Sequence, residues 1–297
     1  MPKLSIIILS YNTEDITHEC LQALFLSLKD TASFESEIIV VDNDSKDGSR
    51  TMLKNAEKEF QHIKISLKVI LNEMNEGFPK GNNRGVAQAQ GEYILFLNSD
   101  VLIQKVDWNE VIQYLDSHAE VGGYTVRVAL PTGAIDPASH RGFPTLWNAF
   151  SYYSQLEKLS KPFPKLNTLF GGYHLTYESL NTIHEIDSPS GAFFMTRASL
   201  FKEMHGFDET FFMYGEDIDL AYRLKQSGKK IIYDPRHTVL HLKYQSGMKT
   251  EKKQTQDATR SHFYNAMRIF YRKHYAKTHS PITNALVSLV IDLKSRF

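Results

Sequence analysis

The chain has 297 residues, 42% of them hydrophobic and 12% aromatic, with 34 basic side chains against 34 acidic ones. That length carries one large domain or two moderate ones, and the zero net charge excludes bulk attraction to nucleic acid. The balance hides a split, because residues 243–297 hold eleven Lys and Arg against Glu251, Asp257 and Asp292, a net of +8 that leaves −8 for the remainder.

The N-terminal "MPKLSIIILSYN" has too short an apolar run for a signal peptide and reads as a first strand, "LSIIILS" (4–10), buried on both faces. Residues 14–28 follow with Ile16, Cys20, Leu21, Leu24 and Leu28 at helical spacing. Cys20 is the single cysteine and reads as a core residue, which fits a reducing compartment. Next come a strand "EIIVV" (37–41), a turn "DNDSKDGS", a helix over 49–60 and a strand "KISLKVIL" (64–71). Pro79 opens a helix through Gln90, since proline suits the first helical turn. "YILFL" is the fourth strand. This β-α-β-α order predicts an α/β fold with a doubly wound, mostly parallel sheet, whose ligands bind beyond the carboxyl ends of the strands.

Residues 121–186 show no clear period and read as a substrate-shaping region. Order returns with "DSPSGAFFMT", a helix ended by Gly206, and a helix "GEDIDLAYRLKQSG" with Glu216 and Asp217 in its first turn, where acids also complement the helix dipole. "KKIIYDP" and "TVLHLK" read as short strands, and "QDATRSHFYNAMRIFYRKHY" as a basic aromatic helix. No window supplies the roughly 18 apolar residues of a membrane span; "ITNALVSLVIDL" suits an interface instead. The expected location is the cytoplasm, with peripheral membrane contact open to the C-terminal end.

Three strands deliver polar residues to one edge: Ser10, Tyr11 and Asn12; Asp42, Asn43 and Asp44; Asn98, Ser99 and Asp100. One such ending is turn chemistry; three form a candidate site. Asp42 and Asn43 suit a nucleobase or ribose, and Asp100 suits Mg²⁺ or Mn²⁺ on a diphosphate. "GFPKGNNRG" (77–85), with Asn82 and Arg84, enters a helix where phosphate can be met. His241 is open to a ligand role, although a lone strand histidine is more often half-buried structure.

"SIIILSYN", "VVDNDSKDG", "GFPKGNNRG", "ILFLNSD", "SGAFFMTR", "GFDETFFMYGEDIDLAYRL" and "VLHLK" together resemble family 2 glycosyltransferases of the GT-A fold, most closely bacterial rhamnosyltransferases of cell-wall and O-antigen synthesis. The resemblance covers roughly 3–245 and is weakest over 125–185. It implies a GT-A domain at 1–245, with a nucleotide-binding half (1–120) and an acceptor-binding half (121–245), and a helical extension at 246–297. It makes "NSD" the counterpart of a DxD motif with Asn98 in the first acid's place, so that Asp100 is the main acidic metal ligand. It makes Asp42 the base contact, Asp217 the catalytic base with Glu216 beside it, His241 a metal ligand, and Ser190 and Gly191 a lining for sugar and acceptor. The implied reaction is inverting and metal-dependent (Mn²⁺ or Mg²⁺). The donor is dTDP-rhamnose, with a UDP-sugar as alternative, and the acceptor is a saccharide or lipid-linked saccharide. The C-terminal helix is expected at a membrane surface, with a homodimer contact competing for its apolar side. A non-catalytic sugar-nucleotide module is disfavoured by the retained acids. A nucleotidyltransferase is disfavoured by the acidic "SYNTED", and a dehydrogenase by the lack of G-x-G-x-x-G after strand one.

Overall fold

The computed structural model describes residues 1–60, 64–243 and 253–296. The expected domain boundary near residue 245 lies outside them. The N-terminal half follows the expected alternation. Strands β1 (Leu4–Ser10), β2 (Ser36–Asp42), β3 (Ile65–Leu71) and β4 (Tyr93–Asn98) pair in parallel in the order β3-β2-β1-β4. Helices α1 (Glu14–Thr31), α2 (Ser49–Glu59) and α3 (Phe78–Val86) make the crossovers. Strand β2 is buried along its whole length, as expected of an inner parallel strand covered on both faces.

Beyond β4 the chain turns back through β5 (Val101–Lys105), α4 (Trp108–Ser117) and β6 (Val121–Ala129). Three short helices follow, α5 (Leu146–Tyr153), α6 (Leu156–Ser160) and α7 (Pro164–Phe170). Then come β7 (His184–Ile186), β8 (Phe193–Arg197), α8 (Ala198–Glu203), α9 (Glu216–Gln226) and β9 (Lys230–His241). The chain ends in α10 (Lys253–His274) and α11 (Pro281–Arg296). The sheet has nine strands among the described residues, ordered β3-β2-β1-β4-β8-β6-β9-β5, with β7 against β9. Strand β8 is antiparallel to β4, and β5 and β7 are antiparallel to β9, so the sheet is mixed on this side. The two expected short strands around residue 235 are one strand, β9, with a register shift between Asp234 and Thr238.

One face of the sheet packs Leu24 and Leu28 of α1 and Trp108 of α4 against Leu95 and Phe193. The other packs Leu220 and Leu224 of α9 against Phe96, Phe194, Phe201 and Phe207. Helix α3 approaches β1 closely through its glycines. A Cβ at Gly81 would sit 2.4 Å from Leu9 Cδ1, and one at Gly85 would sit 2.6 Å from Ile7 Cγ2.

The aromatic side of α10 turns inward rather than toward solvent. Ala266 and Phe270 bury against Phe211, with Ile218 and Tyr222 of α9 beside them. A polar knot reinforces the contact. Asp219, fully buried on α9, accepts from His274 Nε2 at 2.7 Å and from Arg223 Nε at 2.9 Å, and Lys273 Nζ lies 2.7 Å away. Burial opposes ionisation of Asp219, but these donors outweigh it and lower its pKa to about 2.

Two outcomes follow. Gly85→Ala raises helix propensity but overpacks Ile7, and should destabilise the fold by about 1–3 kcal/mol in urea titrations. Asp219→Asn should cost about 2 kcal/mol at pH 7, because the folded carboxyl titrates below its unfolded value near ~3.9. That part of the stability is present above pH ~4 and is lost as pH falls toward 2, so the gap between wild type and variant should narrow in parallel titrations at pH 7 and pH 3.

Candidate active site

The carboxyl ends of β1, β2 and β4 converge as the three polar endings require. Ser10 is buried, its hydroxyl 3.3 Å from Thr13 Oγ1 and 3.0 Å from Thr17 Oγ1, while Tyr11 is exposed. Asn12 adopts a left-handed conformation (φ 53°) that short polar side chains tolerate. Its amide donates to Ser45 Oγ at 2.9 Å and its Oδ1 accepts from Lys46 N at 2.7 Å, tying the β1 and β2 loops together. Asp42 Oδ1 accepts from Ser45 N at 3.0 Å and Arg50 Nε at 2.9 Å, leaving Oδ2 buried without a partner. Asn43 donates to Asn75 and to the Gly77 carbonyl and accepts from Asn72 and the Glu76 amide, which anchors the loop entering α3.

The glycine-rich segment also has a packing role. Gly81 and Gly85 serve helix packing. Asn82 is buried and donates to Phe78 O within α3, and the half-exposed Arg84 guanidinium lies 3.5 Å from Glu76.

Asp100 lies where β4 gives way to β5, and β5 runs antiparallel to β9 with Val101 opposite His241. That register sets His241 Nε2 3.2 Å from Asp100 Oδ1. The other ring nitrogen, Nδ1, is 2.8 Å from Asp136 Oδ2, and Lys243 Nζ donates to Asp136 Oδ1 at 2.6 Å. Burial disfavours the charged imidazole, but hydrogen bonds to both carboxylates outweigh it and raise its pKa to about 9. Asp136 is fully buried, yet the donors His241 and Lys243 keep its carboxyl below the usual range.

On the facing side, Asp217 and Glu216 open α9 after Tyr214 and Gly215, both at positive φ. Arg141 Nη2 donates to Asp217 Oδ2 at 3.0 Å, and Ile218 N donates to Oδ1 at 2.7 Å. Glu216 is buried with Oε2 unpartnered; burial first, and the Asp217 charge second, push its carboxyl well above the usual range. Gly191 packs edge-on to Phe78, 3.0 Å from its hypothetical Cβ, and 3.9 Å from Asn98 Oδ1.

Among the described residues, five of the ten buried side-chain atoms without a partner belong to candidate-site residues, Asp42 Oδ2, Asn98 Oδ1, Ser190 Oγ, Arg141 Nε and Glu216 Oε2; the others are on Ser36, Ser49, Asn72, His237 and Tyr275. Such atoms are costly to leave unsatisfied, at about 1–3 kcal/mol each, and those at the strand ends are open to a ligand or to water. Asp136, Arg141 and Lys243 are the members that sequence patterning missed. The Asp-Pro pair at 136–137 did carry a signal, since Asp136 caps a 3₁₀ turn by accepting from Ala138 N at 3.1 Å.

A family profile described as Glycosyl transferase family 2 matches residues 5–223. The chain is 26% identical over 230 residues to Rhamnosyltransferase WbbL of Escherichia coli (strain K12), covering 69% of this chain and 82% of that protein. It is 25% identical over 240 residues to the O-antigen biosynthesis protein RfbC of Myxococcus xanthus, covering 81% of this chain but only 17% of that protein. Among solved structures, Staphylococcus aureus TarS 1–349 with UDP-GlcNAc superposes with a TM-score of 0.58 at 21% identity, over 90% of this chain and 65% of that one. A mannosyltransferase of Pyrobaculum calidifontis with GDP-Man and Mn²⁺ superposes with a TM-score of 0.55 at 15% identity, over 92% of this chain and 64% of that one. These likenesses confirm the GT-A architecture. The chain is a glycosyltransferase and belongs to glycosyl transferase family 2.

Proposed function

We propose that the chain transfers L-rhamnose from dTDP-rhamnose, with inversion, to a saccharide or lipid-linked saccharide of a bacterial surface polysaccharide. The observation that carries this reading is the convergence at one sheet edge of the Asp100–His241 pair and the Arg141-held Asp217, with unpartnered polar atoms around them. The rhamnosyl donor rests on similarity to WbbL; UDP-sugars stay as the alternative. Residues 1–120 hold the donor, 121–245 the acceptor, and 246–297 form the extension. The reaction is assigned to the cytoplasm.

The donor set fits a divalent ion. Asp100 and His241 face one another at 3.2 Å, and a carboxylate on the distal nitrogen, here Asp136, is the arrangement that orients metal-bound imidazoles. No group of three or more His, Cys, Asp or Glu is placed for a metal among the described residues, so diphosphate oxygens and water would complete the shell. When bound, Mn²⁺ or Mg²⁺ supplies Lewis-acid stabilisation of charge on the diphosphate.

The chain's own residues divide the remaining work. Asp42, with one oxygen free, holds the base or ribose, Asn43 fixes the loop beside them through its side chain, and Ser10, Tyr11 and Asn12 form their floor. Asn98, Ser99, Ser190 and Gly191 line the sugar. Asp217 accepts the proton of the attacking hydroxyl, and Arg141 holds its carboxylate in place. Position supplies much of the rate, because an ordinary carboxylate is a weak base. Glu216 as base is a second reading, favoured by its unpartnered oxygen and raised pKa.

Three measurements decide. Asp217→Asn should lower kcat by about 10²–10⁴-fold with donor Kd unchanged; near-normal turnover removes the assignment. If Glu216→Gln carries that loss instead, and the acidic limb of kcat lies well above the usual carboxylate range, the base is Glu216. Calorimetric titration with dTDP and UDP, each with and without Mn²⁺, should show metal-dependent preference for dTDP. That dependence should vanish in Asp100→Ala, and preference for UDP would move the donor to a hexose.

A further inference from the structure

We propose that α5–α7 and α11 together form a face that docks on an anionic lipid bilayer. The proposal deepens the membrane-surface contact expected of the C-terminal segment, adding α5–α7 to it, and does not depend on the donor assignment. Helices α5–α7 expose Trp147, Phe150, Leu159, Phe163, Leu166 and Leu169, a density of large apolar side chains that a water-facing helical cluster does not need. Helix α11 exposes Ile282, Leu286, Leu289 and Leu293, spaced at 4, 3 and 4 residues along one stripe, with Ile282 83% exposed. The two surfaces are continuous, because Lys294 Nζ of α11 lies 4.4 Å from the centre of the Tyr153 ring of α5.

Charge selects the occupant. Lys158, Lys161 and Lys165 are exposed between the apolar side chains, and none forms an ion pair among the described residues. Beside them, an open groove of about 530 Å³ between α10 and α11 is lined by Arg260, Tyr264, Leu293 and Lys294. Apolar side chains ringed by cations and aromatics match an interface of acyl chains and anionic headgroups. A second copy on the same face would bring two positively charged faces together, which opposes an isologous contact. The face also lies next to the chemistry. Trp147 is six residues from Arg141, at most about 20 Å of extended chain, and Phe143 between them packs edge-on against Tyr222 of α9. A membrane-held acceptor would thus be presented close to Asp217.

The test uses the full chain and vesicles of phosphatidylcholine alone or mixed equally with phosphatidylglycerol. The protein should sediment with the anionic vesicles and weakly with the neutral ones. Lys158→Gln, Lys161→Gln and Lys165→Gln combined should lower the partition by about 100-fold, the effect of three cations at an anionic surface. Phe163→Glu with Leu166→Glu, and separately Leu286→Glu with Leu289→Glu, should lower it further at unchanged thermal unfolding. The lysine triple removes no apolar contact, so it remains informative if an apolar variant fails to fold. Equal binding to both vesicle types, or unchanged partition in the lysine triple, overturns the proposal. So does a dimer in sedimentation equilibrium that Leu286→Glu with Leu289→Glu dissociates, which would give the face to a second copy.

Discussion

The pairing of β5 with β9 is the constraint on which the site depends. β9 is bonded to β6 on one side and to β5 on the other, and it also carries β7. Its register against β6 shifts between Asp234 and Thr238, where Asp234 turns inward and accepts from Tyr124 Oη at 2.9 Å and Arg236 N at 3.0 Å. Side chains alternate along a strand, so a slip of one residue would send His241 to the opposite face. With the shift in place, His241 stands against Asp100 and reaches Asp136 behind it.

The charges then arrange themselves by what burial permits. Arg141 and Asp217 are almost out of solvent, and each would be costly alone. Paired, they leave room for no second bare anion, and the adjacent Glu216 is pushed toward its neutral form. The same logic runs in the other direction at Asp136, where one imidazole and one ammonium share a buried carboxylate and keep it ionised. Two acids on one helix, Glu216 and Asp219, thus acquire opposite protonation tendencies from their surroundings rather than from their type.

Much of this was legible because it is local. Strands β1, β2 and β4 are short apolar runs ending in Ser, Asp or Asn, and each ending names its own edge residues. Strand β6 was not legible. It is buried on both faces, so "VGGYTVRVA" shows no clean alternation, and Gly122 and Gly123 lower its apparent strand character. The structure supplies their reason, since a Cβ at Gly123 would meet the Phe194 ring at 2.9 Å. Arg141 stayed hidden because its partner is 76 residues away, and a lone arginine in an aromatic loop announces nothing. The glycines of "GFPKGNNRG" carry a second meaning, since those spaced for a phosphate loop are also spaced for close helix–strand packing, and Gly81 and Gly85 serve the packing.

The family match ends at residue 223, yet the contacts around the candidate site do not. His241 follows it on β9, and His274 and Lys273 reach back from α10 to Asp219, two residues beyond Asp217 on the same helix. Helix α10 also stacks His262 on Phe212, whose carbonyl accepts from Phe78 N at 2.7 Å at the start of α3. The extension therefore braces both the helix that carries the acids and the loop that enters α3. Helix α11 is fastened to α10 in turn, with Arg268 Nη2 donating to Asp292 at 2.7 Å. Helix α11 is thus joined to α9 through α10, and the C-terminal segment packs onto the acid-bearing helix although the family pattern stops before it.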